Sequence, residues 1–393
     1  MKYLLLLLLS LSAHAFSPVK EEALYRNFYR EFFELPGFSV FPKNEEQKLA
    51  LDAIEDALEN GAPSLKLRQW FTPEQVSSLG AHEQIRLFRL KAARGLATPN
   101  EELLALSGAK QRMDNFVMSE LSRIRPFLKS PAAQQMLAEM PVPVKAAKRF
   151  VAPGVAEVKA LFSQPPAFDT FLDGRYAATP RIFVFCRHDH NYPCLLAMRD
   201  AHNEVVRENG KIWLQPALGL SNRGLPFDQR NGNTPQGAQL VDGVMPEADM
   251  PFYYGRFRRL ILTFAPASKN EAEQKKLFPA SSHNSDWWRE AVIARDLGRN
   301  LLRIHGVGEI SKETGKPYYP FIPTIGCLAQ REGKYGAADY TDQRKLLDRW
   351  MNAMGLEAKF ENEPLIRGIM YVIEIDDKKS AVNAEDLKLF GIR

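Results

Sequence analysis

Cysteine is scarce, with three in 393 residues. That excludes a small scaffold held together by disulfides, which carries far more per length. Glycine and proline, 24 and 26, stay close to average usage, which excludes collagen-like and low-complexity chains. A dominant charge is also lacking. Lys and Arg number 52 against 47 Asp and Glu, a net +5 spread along the chain. The short basic cluster Arg256, Arg258 and Arg259 has no stacked-aromatic RNA motif or zinc finger beside it, so nucleic acid is not an expected partner. There is no phosphate-cradling glycine loop and no Cys-x-x-C pair, so kinase, ATPase and thioredoxin-like chemistry are unsupported. Beyond the amino terminus no apolar run reaches the ~18 residues that span a membrane.

Residues 1–15 follow the pattern of a secretory signal. Lys2 supplies the positive start, Tyr3 to Ala13 the leucine-rich apolar stretch, and Ala13-His14-Ala15 a small-x-small cleavage site. The expected mature chain starts near Phe16, is periplasmic or secreted, and is not stably inserted in a membrane. Residues 16–165 read as a helical accessory domain. Leu49, Leu51, Ile54 and Leu58 follow Asn44-Glu45-Glu46-Gln47 and precede Gly61, the pattern of a capped amphipathic helix. Thr72-Pro73-Glu74 and Thr98-Pro99-Asn100 each put a cap residue before a proline at the first helical position. Apolar residues three and four apart continue from Glu101 through Leu128, and His82 stands alone. Ser163-Gln164-Pro165-Pro166 reads as a boundary. Residues 166–393 then turn strand-like, with β-rich segments at 181–186, 194–198, 211–214, 259–264 and 301–304. A helix is expected over 340–354 and a late strand over 368–375. The expected class is α+β, a helical N-terminal domain followed by a β-rich domain with a C-terminal helix and strand.

The candidate chemistry centres on Cys327, in Pro323-Thr324-Ile325-Gly326-Cys327-Leu328. Glycine before cysteine permits a sharp turn that exposes the sulfur and points backbone N–H groups at one place. Acyl transfer needs such an oxyanion cradle beside its nucleophile. A base is also required, and His305 stands before Gly306 at a strand end, 22 residues earlier. Spacing alone weighs this evenly against a buried free cysteine and an unrelated histidine.

Three elements in order resemble the L,D-transpeptidase catalytic domain of bacterial peptidoglycan enzymes, over about residues 180–331. Gly232-Asn233-Thr234-Pro235-Gln236-Gly237 is similar to the family's Thr-Pro-x-Gly turn. Ile304-His305-Gly306 is similar to its strand-end His-Gly, and Thr324-Ile325-Gly326-Cys327-Leu328 to its Ser/Thr-His-Gly-Cys motif. The chain departs from the pattern at Ile325, where the family has histidine, and at Ala329, where it often has arginine or asparagine; Arg331 follows two residues later. The resemblance implies that Cys327 attacks the carbonyl between an L- and a D-centre of a stem peptide. It makes His305 base and then acid, and gives the oxyanion to N–H groups around Gly326. Thr324, Arg331, Gly306 and Arg303 are the candidate substrate contacts. The partners implied are peptidoglycan stem peptides and an amine acceptor; with water as acceptor the outcome is carboxypeptidase activity. No cofactor or metal is implied. The alternative is a non-enzymatic wall-binding protein on a degenerate catalytic domain, and a general cysteine peptidase is a distant third.

Cys186-Arg187-His188-Asp189-His190 followed by Cys194 admits three readings, ranked as a hairpin disulfide, a reduced pair, and a Cys₂His₂ zinc site. A disulfide would leave Cys327 as the odd thiol. Trp287, Trp288, Tyr318 and Tyr319 line a substrate cleft or lid, or else pack in the core. Residues 306–323 read as a long loop between base and nucleophile. Asp228 and Arg230 are either substrate contacts or a solvated turn.

Overall fold

Two compact units form from this chain. One holds the residues up to Arg112 together with Arg123–Met140; the other holds Met113–Ser122 with Pro141–Arg393. The computed structural model describes residues 17–34, 42, 46–111, 115–140, 152–165, 174–176, 178–264 and 271–393. The signal reading of residues 1–15, the cap at Asn44-Glu45 and Pro166 of the expected boundary lie outside the described residues.

The first unit is helical. Its helices include Pro18–Glu34, Glu46–Glu59, Ala81–Ala92 and Pro99–Gln111. Leu49, Leu51, Ile54 and Leu58 join Phe28, Phe32, Leu87 and Leu90 in one core. Thr72 closes a capping box with Gln75, with Pro73 at the first helical position. Thr98 and Glu101 exchange the equivalent bonds, at 2.8 and 3.4 Å. These caps satisfy N–H groups that the first turn cannot. Buried against this core, the Arg86 guanidinium bridges Asp52 and Glu55 at 2.5 Å each, and Arg89 reaches Glu55 at 2.7 Å.

The second unit is built on a mixed sheet of eight strands. The strands of this unit, in chain order, are β1 (Arg181–Arg187), β2 (Cys194–Arg199), β3 (Arg207–Glu208), β4 (Lys211–Ile212), β5 (Leu214–Ala217), β6 (Gly237–Val244), β7 (Leu260–Phe264), β8 (Arg303–Gly306), β9 (Leu328–Gln330), β10 (Glu332–Tyr335), β11 (Ala338–Thr341) and β12 (Arg367–Asp376). The large sheet runs β5-β2-β1-β12-β6-β7-β8-β9; β3 pairs with β4 and β10 with β11. With the helical N-terminal region, this makes an α+β fold.

The apolar runs Ile182–Cys186 and Ile369–Ile373 are buried on both faces, as central strands require. They pair in parallel, Phe183 opposite Tyr371 and Val184 opposite Val372. Alternation sends Phe183, Phe185, Ile369 and Tyr371 to one face, against Phe278, Trp287 and Trp288. It sends Ile182, Val184, Met370 and Val372 to the other, against Leu346, Leu347, Trp350 and Met351 of the helix Asp342–Ala353. The sheet is thus the middle of three layers.

Departures from the expected elements have local causes. The strand expected over 211–214 divides around Trp213, because β4 turns back on β3 while β5 joins β2. The strand expected from Leu301 begins only at Arg303, because Leu301 sits at φ +57°. β6 was not expected, since Gly237-Ala-Gln-Leu-Val-Asp-Gly-Val mixes glycine and polar residues into a strand buried by its neighbours. No helix among the described residues is long and apolar enough to cross a membrane.

Candidate active site

Cys327 ends a turn that several neighbours fix. Thr324 N donates to Leu220 O at 3.2 Å and Thr324 O accepts from Asn222 N at 2.7 Å, tying the turn to the segment after β5. The Thr324 hydroxyl donates to Cys327 O at 2.7 Å and closes the turn on itself. Gly326 stands at φ +103°, where a side chain is strained. A Cβ there would lie 2.4 Å from Gly232 O and 2.6 Å from Arg299 Nη2. Thr234, from the Thr-Pro-x-Gly turn, donates its hydroxyl to Gly326 O at 3.1 Å. Two of the three separated sequence elements therefore meet at Gly326.

Arg299 is the anchor that sequence reasoning did not single out. Its guanidinium donates to Phe227 O (2.5 Å), Asn233 O (2.9 Å) and Gly232 O (2.8 Å). Burial pulls its pKa down to about 10, against the attraction of Cys327, Asp228 and Glu290. It remains a cation at neutral pH. A fixed cation within reach of the sulfur favours negative charge there. The only hint in the sequence is an arginine in a short non-helical link, between Gly298 and the apolar Leu301-Leu302. Leu301, in the left-handed region, has its carbonyl 3.9 Å from Cys327 Sγ.

His305 lies on β8, parallel to β9. Ile304 pairs with Leu328 and His305 with Ala329. Ile304 and Leu328 face the helix side of the core. Alternation assigns His305 and Ala329 to the opposite side, and Cys327 ends the turn just before β9. The ring is buried, stands edge-on to Tyr254 at 5.1 Å, and has its Nδ1 on Gly306 O. A carbonyl only accepts, so Nδ1 carries the proton and Nε2 keeps the lone pair. Burial pushes the imidazole pKa down to about 4, with Gly306 O opposing and Arg259 and Arg303 adding to the fall. The ring is neutral at pH 7. Cys327 is not among its hydrogen-bond partners; the strand of His305 runs beside the strand that Cys327 precedes.

The four candidate substrate contacts are each held by the protein itself. Thr324 spends its hydroxyl on Cys327 O. Arg331 donates to Asp342 at 2.6 Å and lies over the Tyr340 ring at 4.2 Å. Arg303 is buried and donates to Leu302 O at 2.8 Å. Gly306 is glycine because a Cβ would meet the Glu332 carboxylate at 2.2 Å. The aromatic expectations divide. Trp287 and Trp288 are buried core residues, Trp287 edge-on to Phe278 and Trp288 stacked on it. Tyr318 is buried and donates to the Glu313 carboxylate, whereas Tyr319 is partly exposed against Tyr335, 5.7 Å away. Residues 307–323 carry no helix or strand. The Arg256–Arg259 cluster is used internally. Arg258 lies over Phe360 at 3.4 Å, and Arg259 lies over Tyr254 and pairs with Asp249 at 2.8 Å.

Cys186 and Cys194 are joined in a disulfide, Cα atoms 4.3 Å apart. Their sulfurs are therefore not zinc ligands, and Cys327, buried where the turn was expected to expose it, is the cysteine outside the disulfide. The loop they close carries His188 and His190, and both reach Glu374 on β12. Burial and the Glu374 charge push the Glu290 carboxyl up, against the N–H groups of Gln236. The bonds from His188 and His190 outweigh burial and hold Glu374 down. Among the described residues no group of three His, Cys, Asp or Glu is arranged to hold a metal. Compared with protein-family models, curated proteins and solved structures, the chain gives no match.

Proposed function

We propose that the protein is a periplasmic or secreted cysteine acyltransferase acting on peptidoglycan stem peptides, of the L,D-transpeptidase kind. With water as acceptor the same site is an L,D-carboxypeptidase. One observation carries the reading: the Thr-Pro-x-Gly turn and the Gly-Cys turn, 92 residues apart, meet through the Thr234–Gly326 hydrogen bond, with the strand of His305 alongside. In this reading the Cys327 sulfur, its charge favoured by Arg299, attacks the carbonyl carbon between an L- and a D-centre. Backbone N–H groups at Gly326 and Cys327 receive the oxyanion. His305, neutral with its lone pair on Nε2, takes the thiol proton and passes it to the departing amine. The acyl–sulfur bond then breaks when an amine or water attacks.

The second reading, a wall-binding protein without catalysis, is favoured by two details. Ile325 is 41% exposed where the family has histidine, and the His305 ring bonds Gly306 rather than the sulfur. The test is intact-protein mass spectrometry on the wild type and Cys327→Ala after incubation with peptidoglycan fragments, and separately with a carbapenem. A Cys327-dependent adduct with trimmed or crosslinked stem peptides is the expected result. Wall binding that persists in a folded protein with no adduct and no product would replace it with the second reading.

A further inference from the structure

The loop closed by the disulfide has no role in the chemistry above, yet it bears on the nucleophile. His190 is 2% exposed. Its Nε2 is 3.0 Å from Glu374 Oε1 and its Nδ1 is 2.9 Å from Gly219 O. Both neighbours are acceptors, so both ring nitrogens carry protons and the ring is an imidazolium. Gly219 O accepts a second bond, from Thr234 N at 3.0 Å. A Cβ on Gly219 would lie 3.1 Å from His190 Nδ1 and 3.2 Å from Thr234 Oγ1. The same Thr234 then donates to Gly326 O. A continuous chain of hydrogen bonds thus runs from Glu374 through His190, Gly219 and Thr234 to the residue before Cys327.

We propose that His190 and Glu374 are positioning residues for the Cys327 turn: the ring, clamped between the Glu374 carboxylate and the Gly219 carbonyl, holds the segment from which Thr234 fastens Gly326. The proposal takes from the acyl-transfer reading only that Cys327 is the reacting group. Charged neighbours support a protonated ring. Glu374 on β12 pairs with it, and Glu290 on the helix Arg289–Asp296 adds attraction. His188, in the same loop, shares Glu374, and Arg299 acts on Glu290. Burial lowers the His190 pKa, but Glu374, Gly219 O and Glu290 together raise it above its ordinary value. When the ring loses one proton, one nitrogen lone pair faces an oxygen, and one clamp is lost.

The experiment reads the reactivity of Cys327 itself, with no substrate assumed. Iodoacetamide alkylation is followed by intact mass against pH in the wild type, Thr234→Val, Thr234→Ser and His190→Gln, each checked for folding by circular dichroism. Expected is an about tenfold slower reaction in Thr234→Val, the size of one hydrogen bond's contribution, and recovery to within about twofold in Thr234→Ser. Where His190 gives up its proton the wild-type rate should fall below simple thiol ionisation, and this departure should vanish in His190→Gln. A Thr234→Val protein that reacts at the wild-type rate overturns the proposal, as does the same departure retained in His190→Gln. Should His190→Gln not fold, the Thr234 pair decides alone. Carbapenem acylation is measured on the same proteins. Alkylation that follows Thr234 and His190 in a wild type that never acylates would sink the acyl-transfer reading and keep the positioning role.

Discussion

Replacing Gly326 with alanine tests the account of the Cys327 turn most directly. The added Cβ would sit 2.4 Å from Gly232 O and 2.6 Å from Arg299 Nη2, about 1 Å inside ordinary contact. The left-handed backbone alone costs an alanine about 1–2 kcal/mol. Gly232 O belongs to the backbone, so the guanidinium or the turn must give way. Losing one of the three carbonyl bonds of Arg299 costs about 2 kcal/mol more. Gly326→Ala should therefore destabilise the second unit by at least about 3 kcal/mol and slow Cys327 alkylation. Gly336→Ala is the control. Gly336 also has positive φ, +61°, but nothing lies within 4 Å of its Cβ position. It should cost about 1 kcal/mol. Urea unfolding followed by tryptophan fluorescence reads this unit, because Trp213, Trp287, Trp288 and Trp350 lie in it and Trp70 does not. If the two variants lose equal stability with m unchanged, and Gly326→Ala alkylates at the wild-type rate, the turn is not held as described.

Three more outcomes are expected. His305 has a folded pKa of about 4 against an ordinary value near 6.5, so the unfolded chain binds the extra proton first as pH falls. Stability of the second unit should drop from about pH 6.5 towards pH 4, by up to about 3 kcal/mol from this residue; unfolding midpoints against pH should flatten in His305→Gln, and equal slopes would refute the buried neutral ring. The Cys186–Cys194 disulfide closes a loop of sequence separation 8, so Cys186→Ala/Cys194→Ala should lose about 2–3 kcal/mol by chain entropy; in the denatured wild type a thiol-titrating reagent should find one thiol before reduction and three after. Tyr371→Phe removes the buried donor to Leu277 O, 2.9 Å away, and should cost about 1–2 kcal/mol in urea unfolding.

Much of the second unit was legible. Ile182–Cys186 and Ile369–Ile373 read as strands because a strand buried on both faces is an unbroken run of β-branched and aromatic residues. The helix Asp342–Ala353 was legible from its apolar spacing, and the caps at Thr72 and Thr98 from cap residue and proline together. β6 was not, because its burial comes from β12 and β7 on either side and not from its own composition. The parallel pairing of β1 with β12, across nearly two hundred residues, leaves no local trace.

The site divides in the same way. The sequence alone determined which residues are chemically able to act: one cysteine after a glycine, one histidine at a strand end, and two cysteines bracketing a turn. Residue type and backbone freedom are properties of the chain. Tertiary structure alone decided who their neighbours are. It brought Arg299 beneath the Cys327 turn, sent Trp287 and Trp288 into the core instead of a cleft, and committed Arg303 and Arg331 to internal partners. It also joined His190 to Gly326 through Gly219 and Thr234. Hydrogen bonds and charges act over a few ångströms in space, and distance along the chain says nothing of that.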